Sequence, residues 1–141
     1  MRERVRDRGS MSIELVLIMP MLLGVLALVF AFARVSIVTS NFDAGVRDAA
    51  RAATQERNVY AAHQAAEATL ENAASRASPG CAETLHVESI DTFQPGHPVE
   101  IVATCEYPMV DVMGFLPGSF TMRSSFTSPL DPNRGIESTT S

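Results

Sequence analysis

Nineteen consecutive residues, Leu15 to Ala33, carry no charge. At about 1.5 Å rise per residue, such a run approaches the roughly 30 Å of hydrocarbon that a membrane helix crosses. Pro20 and Gly24 fall inside it. Membrane helices tolerate both, so the run predicts a transmembrane helix over 10–34, with a bend expected near Pro20. Beyond Arg34 the apolar positions thin to a stripe: Val35, Val38, Phe42, Val46, Ala49 and Ala53, then more loosely Tyr60, Leu70 and Ala73. Steps of three and four give one helix face, and Asp43, Arg47, Asp48, Arg51, Glu56, Arg57, Glu67 and Glu71 take the other. Asp43 and Arg47 are an attractive i,i+4 pair, whereas Glu67 and Glu71 repel. The pattern predicts an extracytoplasmic helix over 35–78, ended by Ser78-Pro79-Gly80. No strong breaker separates the two stretches, so residues 11–77 could form one rod of roughly 100 Å. Its weakest point is expected at Thr39–Asn41, three poor helix formers in a row.

After Gly80 the period drops to two. Leu85, Val87 and Phe93 share a parity that Ser89 and Asp91 dilute. Val99, Ile101, Ala103, Cys105 and Tyr107 alternate with Glu100, Val102, Thr104 and Glu106, the clearest strand in the chain. Gln94-Pro95-Gly96-His97 supplies turn chemistry for a hairpin between these runs. A third strand sets Phe120, Met122 and Phe126 against Thr121, Arg123, Ser125 and Thr127. The connector Pro108–Gly118 is too apolar for an idle loop. Met109, Val110, Val112, Met113, Phe115 and Leu116 are expected either to cap the core as a short helical turn or to form an exposed contact patch. The polar tail from Pro129, rich in Pro and Gly, reads as disordered. The fold class expected is α+β: a long N-terminal helix, transmembrane and continuing outside the membrane, plus a small three-stranded antiparallel sheet. The organisation is then a leader 1–9, a membrane helix 10–34, an external helix 35–78, a β-rich domain 79–128 and a tail 129–141.

Charge orients the membrane segment. Arg2, Arg4, Arg6 and Arg8 face Glu3 and Asp7, a net of 4 − 2 = +2, whereas the six Arg and thirteen acids beyond Arg34 give 6 − 13 = −7. Positive flanks stay cytoplasmic, so the C-terminal part is expected outside. The formal charge of −5 leaves no basic patch for nucleic acid beyond the leader. Two other readings of the N-terminus are weighed. One is a secretory signal cleaved after Ala33, for which Ala31-Phe32-Ala33 supplies small residues, although nineteen residues exceed the usual apolar core of about 7–15. The other is a plain uncleaved anchor. There is no Arg-Arg pair for a twin-arginine signal and no Cys near the apolar run for lipid attachment.

Cys81 and Cys105 both fall in the part expected outside, where disulfides persist. A bridge closing about 25 residues would add about 3–4 kcal/mol in the chain-entropy model. The alternative is two buried thiols. His63, His86 and His97 lack metal-ligand spacing, and no phosphate loop, nucleophile elbow or acid pair at a recognisable catalytic spacing occurs. Of the seven Met, Met1 starts the chain and the rest lie in apolar stretches, so no soft-metal site is read. No enzyme activity, cofactor or metal is expected.

Glu14 stands at the lip of the apolar run, five residues after Gly9. A carboxylate at the bilayer centre costs about 2.5–3.5 kcal/mol on insertion scales, less near the interface, so it needs a partner or a route to the headgroups. A helix start also favours an acid electrostatically. Gly9, then Ser10-Met11-Ser12-Ile13-Glu14, then an apolar helix with Pro20, resembles the N-terminus of type IV prepilins. The stretch GSMSIELVLIMPMLL more closely resembles the TadE-like proteins of the tight-adherence (Flp) pilus system, as do Ala49-Ala50-Arg51-Ala52-Ala53 and the strand Phe120–Phe126. The resemblance is strong over 8–35 and loose over the rest of 8–127. It implies cleavage by a prepilin peptidase between Gly9 and Ser10, making Glu14 the fifth mature residue. It also implies that Glu14 pairs with the freed N-terminal amine of a neighbouring subunit. Partners implied are the membrane, the peptidase, and other pilins, pseudopilins and pilus-assembly proteins. Leu15 replaces the Tyr that tends to follow this Glu in the major pilins of the system, and the chain is much longer than they are. The expected role is a minor pilin or pseudopilin of the pilus or a related secretion apparatus. A bitopic binding module with a disulfide-linked external domain, or a protein secreted after Ala33, are the alternatives.

Overall fold

The computed structural model describes residues 7–114, 117–133 and 135–136, with the side chains of 7–13, 112 and 113 left out. The leader residues 1–6, Phe115, Leu116, residue 134 and the tail 137–141 lie outside the described residues. Helix α1 runs Asp7–Ala53 with Pro20 inside it. Contacts divide the chain into two compact units, 1–35 and 36–141.

In the first unit the helix is apolar on all sides, and every described residue from Glu14 to Phe30 is exposed. Within α1, the span from Glu14 is long and apolar enough to cross a membrane. Its apolar side chains find no cover inside the protein, the condition of a helix whose solvent is lipid.

The second unit begins with the rest of α1. Most of the sequence stripe becomes the buried face, with Val38, Phe42, Val46, Ala49 and Ala53 buried and Ala50 joining them, whereas Tyr60 is 70% exposed. The helix passes through Thr39–Asn41 and ends instead at Thr54–Asn58. There the bonding tightens: Gln55 N–H donates to Ala52 O and Glu56 N–H to Ala53 O, each three residues back. Asn58 then leaves helical geometry, at φ −138° and ψ 156°, and its Oδ1 accepts from Ala61 N–H at 2.7 Å. That cap starts α2, Val59–Ala77. The single rod from 11 to 77 is thus not formed. Folding back lets α2 bury Ala62, Ala66, Leu70 and Ala74, which a lone Ala-rich helix could not do. The two helices meet closely: a Cβ placed on Gly45 would lie 2.6 Å from the Ala73 Cβ.

Ser78 joins α2 to the short helix α3, Pro79–Glu83. Its N–H donates to Ala74 O, while its Oγ accepts from Gly80 N–H and donates to the Asp111 carboxylate. Strands β1 (His86–Val87), β2 (Pro98–Pro108) and β3 (Ser119–Pro129) form an antiparallel sheet in that order. The β2–β3 register runs residue for residue from Pro98 opposite Pro129 to Pro108 opposite Ser119. One face carries Val99, Ile101, Ala103, Cys105 and Tyr107, all buried, with Met122 opposite Cys105 and Phe120 opposite Tyr107. The first predicted strand shrinks to two residues, because after the Glu88 N–H bond to Val102 O the chain leaves the ladder and buries Ile90 rather than Ser89 or Asp91. The connector does form a short helix, α4 (Val110–Met113), stopped by Gly114 at φ 76°. Val110 on it stays half exposed. The chain past Pro129 is not free of the core: Leu130 is 2% exposed, and its N–H and C=O bond His97 O and Gly96 N–H. Ile136 packs partly buried against the same core, so two apolar side chains in a polar tail found places that composition did not reveal.

Candidate functional site

Two places carry chemistry: the junction at the start of the apolar helix, and the cystine of the second unit. At the junction, α1 already includes Gly9 and Ser10 in its backbone. Glu14 is the first residue whose side chain is described; it is exposed, and no described side chain forms an ion pair with it. The sixteen residues that follow, Leu15 to Phe30, are exposed too, including Gly24, where an added Cβ would meet nothing within 4 Å beyond the helix's own nearby backbone. The carboxylate therefore sits at one end of an uncovered apolar cylinder. Such a surface can be solvated by lipid or by other apolar helices, and a charge at its end can be neutralised by a cation from outside the chain.

The cystine is formed. Cys81 on α3 and Cys105 on β2 are bonded, with Cα atoms 5.0 Å apart. Both are buried. Around the bond α3 is held to β2 at a second point, where Glu106 N–H donates to Thr84 Oγ1 at 2.9 Å. Close approach adds a third, since a Cβ on Gly80 would fall 2.5 Å from Pro108 Cγ. Gly80 was read from sequence only as a helix end. That it is also the contact surface for Pro108 had no local signal.

Among the described residues, the remaining polar groups do not converge on a reaction centre. His63 faces Glu67 at 3.5 Å on α2, His86 is exposed on β1, and His97 Nδ1 is 3.4 Å from Pro95 O in a turn. Among the described residues no group of three or more His, Cys, Asp or Glu could hold a metal ion. A cleft of about 340 Å³ between α1 and α2 has Gly45 and Ala73 in its floor and Asn41, Asp48, Thr69 and Arg76 around it. Another, of about 450 Å³, is lined by Glu88, Asp91 and Glu100 beside Thr127. Neither contains a thiol, a histidine or a lysine, the usual carriers of nucleophilic or acid–base chemistry alongside carboxylates. The Arg123–Glu88 pair, at 2.9 Å across the outer sheet face, is exposed at both ends and worth little to stability.

Residues 9–51 match the family model of TadE-like proteins. The match starts at Gly9 and covers Glu14, the apolar run and α1 almost to its end. It agrees with the family that the sequence resembles, a non-enzymatic pilus-assembly family. No curated protein and no solved structure matches the chain.

Proposed function

We propose that this protein is a minor pilin or pseudopilin of a tight-adherence pilus or related secretion apparatus, held in the membrane by α1. The observation that carries the reading is that one family match begins at Gly9 and takes in Glu14 together with the exposed apolar run that follows it. On this reading a prepilin peptidase cuts between Gly9 and Ser10. The basic leader stays cytoplasmic and the second unit faces outward, in keeping with the positive-inside rule and with a cystine in that unit.

The freed amine of Ser10 and the carboxylate of Glu14 then lie on the same helix start. In an assembly of parallel helices, the amine of one subunit meets the Glu14 of its neighbour. An ion buried alone in an apolar layer costs several kcal/mol, and a partner of opposite sign in the same layer relieves it. The experiment is N-terminal sequencing of the protein from membranes of cells co-expressing the cognate peptidase. A start at Ser10 is expected, and Gly9→Leu should block it. An intact Met1 would leave a plain anchor, and a start at Arg34 would point to a secreted protein.

A further inference from the structure

We infer that this chain is the substrate of a disulfide oxidant whose disulfide is attacked first by Cys81, with Cys105 as the resolving thiol. The two cysteines sit in elements of very different staying power. Cys105 lies in β2, the central strand, opposite Met122 of β3 and next to Thr104, which pairs with His86 of β1. On the Cys105 face, the strand's own Ile101, Ala103 and Tyr107 belong to the same buried core cluster as Phe42 and Val46 of α1 and Leu70 of α2. Opening it means breaking the sheet. Cys81 lies in α3, five residues long, and is the one buried residue of that helix. Pro79, Glu83 and the following Thr84 are exposed.

Before the bond exists, α3 is therefore held to β2 by the Thr84–Glu106 hydrogen bond and the Gly80–Pro108 contact, and to α4 by the Ser78–Asp111 hydrogen bond. Short segments with few buried side chains open far more often than core strands. The accessible thiol is then Cys81, on a helix that swings away while β2 stays in the sheet. After the bond forms, both sulfurs are sealed, and reductant reaches neither without prior opening.

The chemistry balances in two exchanges. The Cys81 thiolate attacks one sulfur of the oxidant's disulfide, forming a mixed disulfide and expelling the oxidant's other sulfur as a thiolate. The Cys105 thiolate then attacks the Cys81 Sγ, forming the cystine and expelling the second thiolate. Two thiol protons pass to solvent, and the oxidant's disulfide takes up two electrons. The partner that fits is a protein or small-molecule disulfide reaching the exposed side of α3 at Pro79, Glu83 and Thr84.

The test uses the full chain in detergent micelles, reduced in denaturant, refolded without oxygen, then given oxidised glutathione. Samples are quenched in acid and the adducts located by peptide mass. At early times the Cys81 adduct should exceed the Cys105 adduct by about tenfold or more, the ratio expected when only one of the two sites opens locally. In Cys105→Ala chains the Cys81 adduct should persist, whereas Cys81→Ala chains should be glutathionylated about tenfold more slowly. Equal adducts on both cysteines, or a majority on Cys105, would overturn the inference. A reduced chain that cannot fold would give that same equal labelling, and so also counts against it.

Discussion

Glu14 is exposed at the end of an uncovered apolar helix, and an amide would fit the same space at lower insertion cost. If the acid serves only as a helix start, Glu14→Gln should change nothing. If it pairs with a neighbour's amine, as proposed, Glu14→Gln chains should still start at Ser10 yet fail to support surface pili. Cleavage and piliation scored together, in a strain lacking the wild-type copy, separate the two; normal piliation would remove the pairing. Gly45 makes a different demand. With a Cβ there 2.6 Å from Ala73 Cβ, Gly45→Val overpacks the α1–α2 contact. It should destabilise the second unit by about 1–3 kcal/mol in urea melts. Adding Ala73→Gly should recover part of that loss, because contacting residues couple. Additive effects would show that the helices do not meet there.

At the scale of elements, α1 gives one helix two environments. Its first part presents apolar side chains all round, whereas from Val38 onward only a stripe is apolar and that stripe is buried. Truncating the stripe should therefore be costly. Phe42 is 1% exposed, and Phe42→Ala is expected to cost about 3–5 kcal/mol, read as a fall in the urea midpoint with an unchanged slope. Phe30→Ala, in the uncovered part, should leave that transition where it is. The sheet was legible because its strands alternate. Cys105 could be placed on the apolar face of the strand by parity alone, and the bond to Cys81 lies where that face meets α3. The helix break was not legible. Thr54–Asn58 holds neither Gly nor Pro, and its one signal, Asn58 as a cap, is too common a residue to mark an end by itself.

For the whole molecule, the proposal places the second unit outside the membrane, and this is testable without a purified sample. In intact cells, a membrane-impermeant maleimide should leave the chain unlabelled until a reductant and a mild denaturant are added, and should then modify Cys81 and Cys105. Labelling without reductant would contradict the cystine, and protection with both present would contradict the orientation. By itself the sequence determined whatever depends on neighbours a few residues apart. That includes the membrane-length run, the basic leader against an acidic remainder, the stripe from Val38 to Ala53 and the alternation of Val99 to Tyr107. Hydrophobic burial acts through those short periods, so they can be read directly. Only the tertiary structure decided where the external helix turns back, that Gly45 admits Ala73 and Gly80 admits Pro108, and that Ile90 and Leu130 join the core. Each of these rests on packing between groups distant along the chain, where the shape of the available space selects the residue and local pattern carries no record of it.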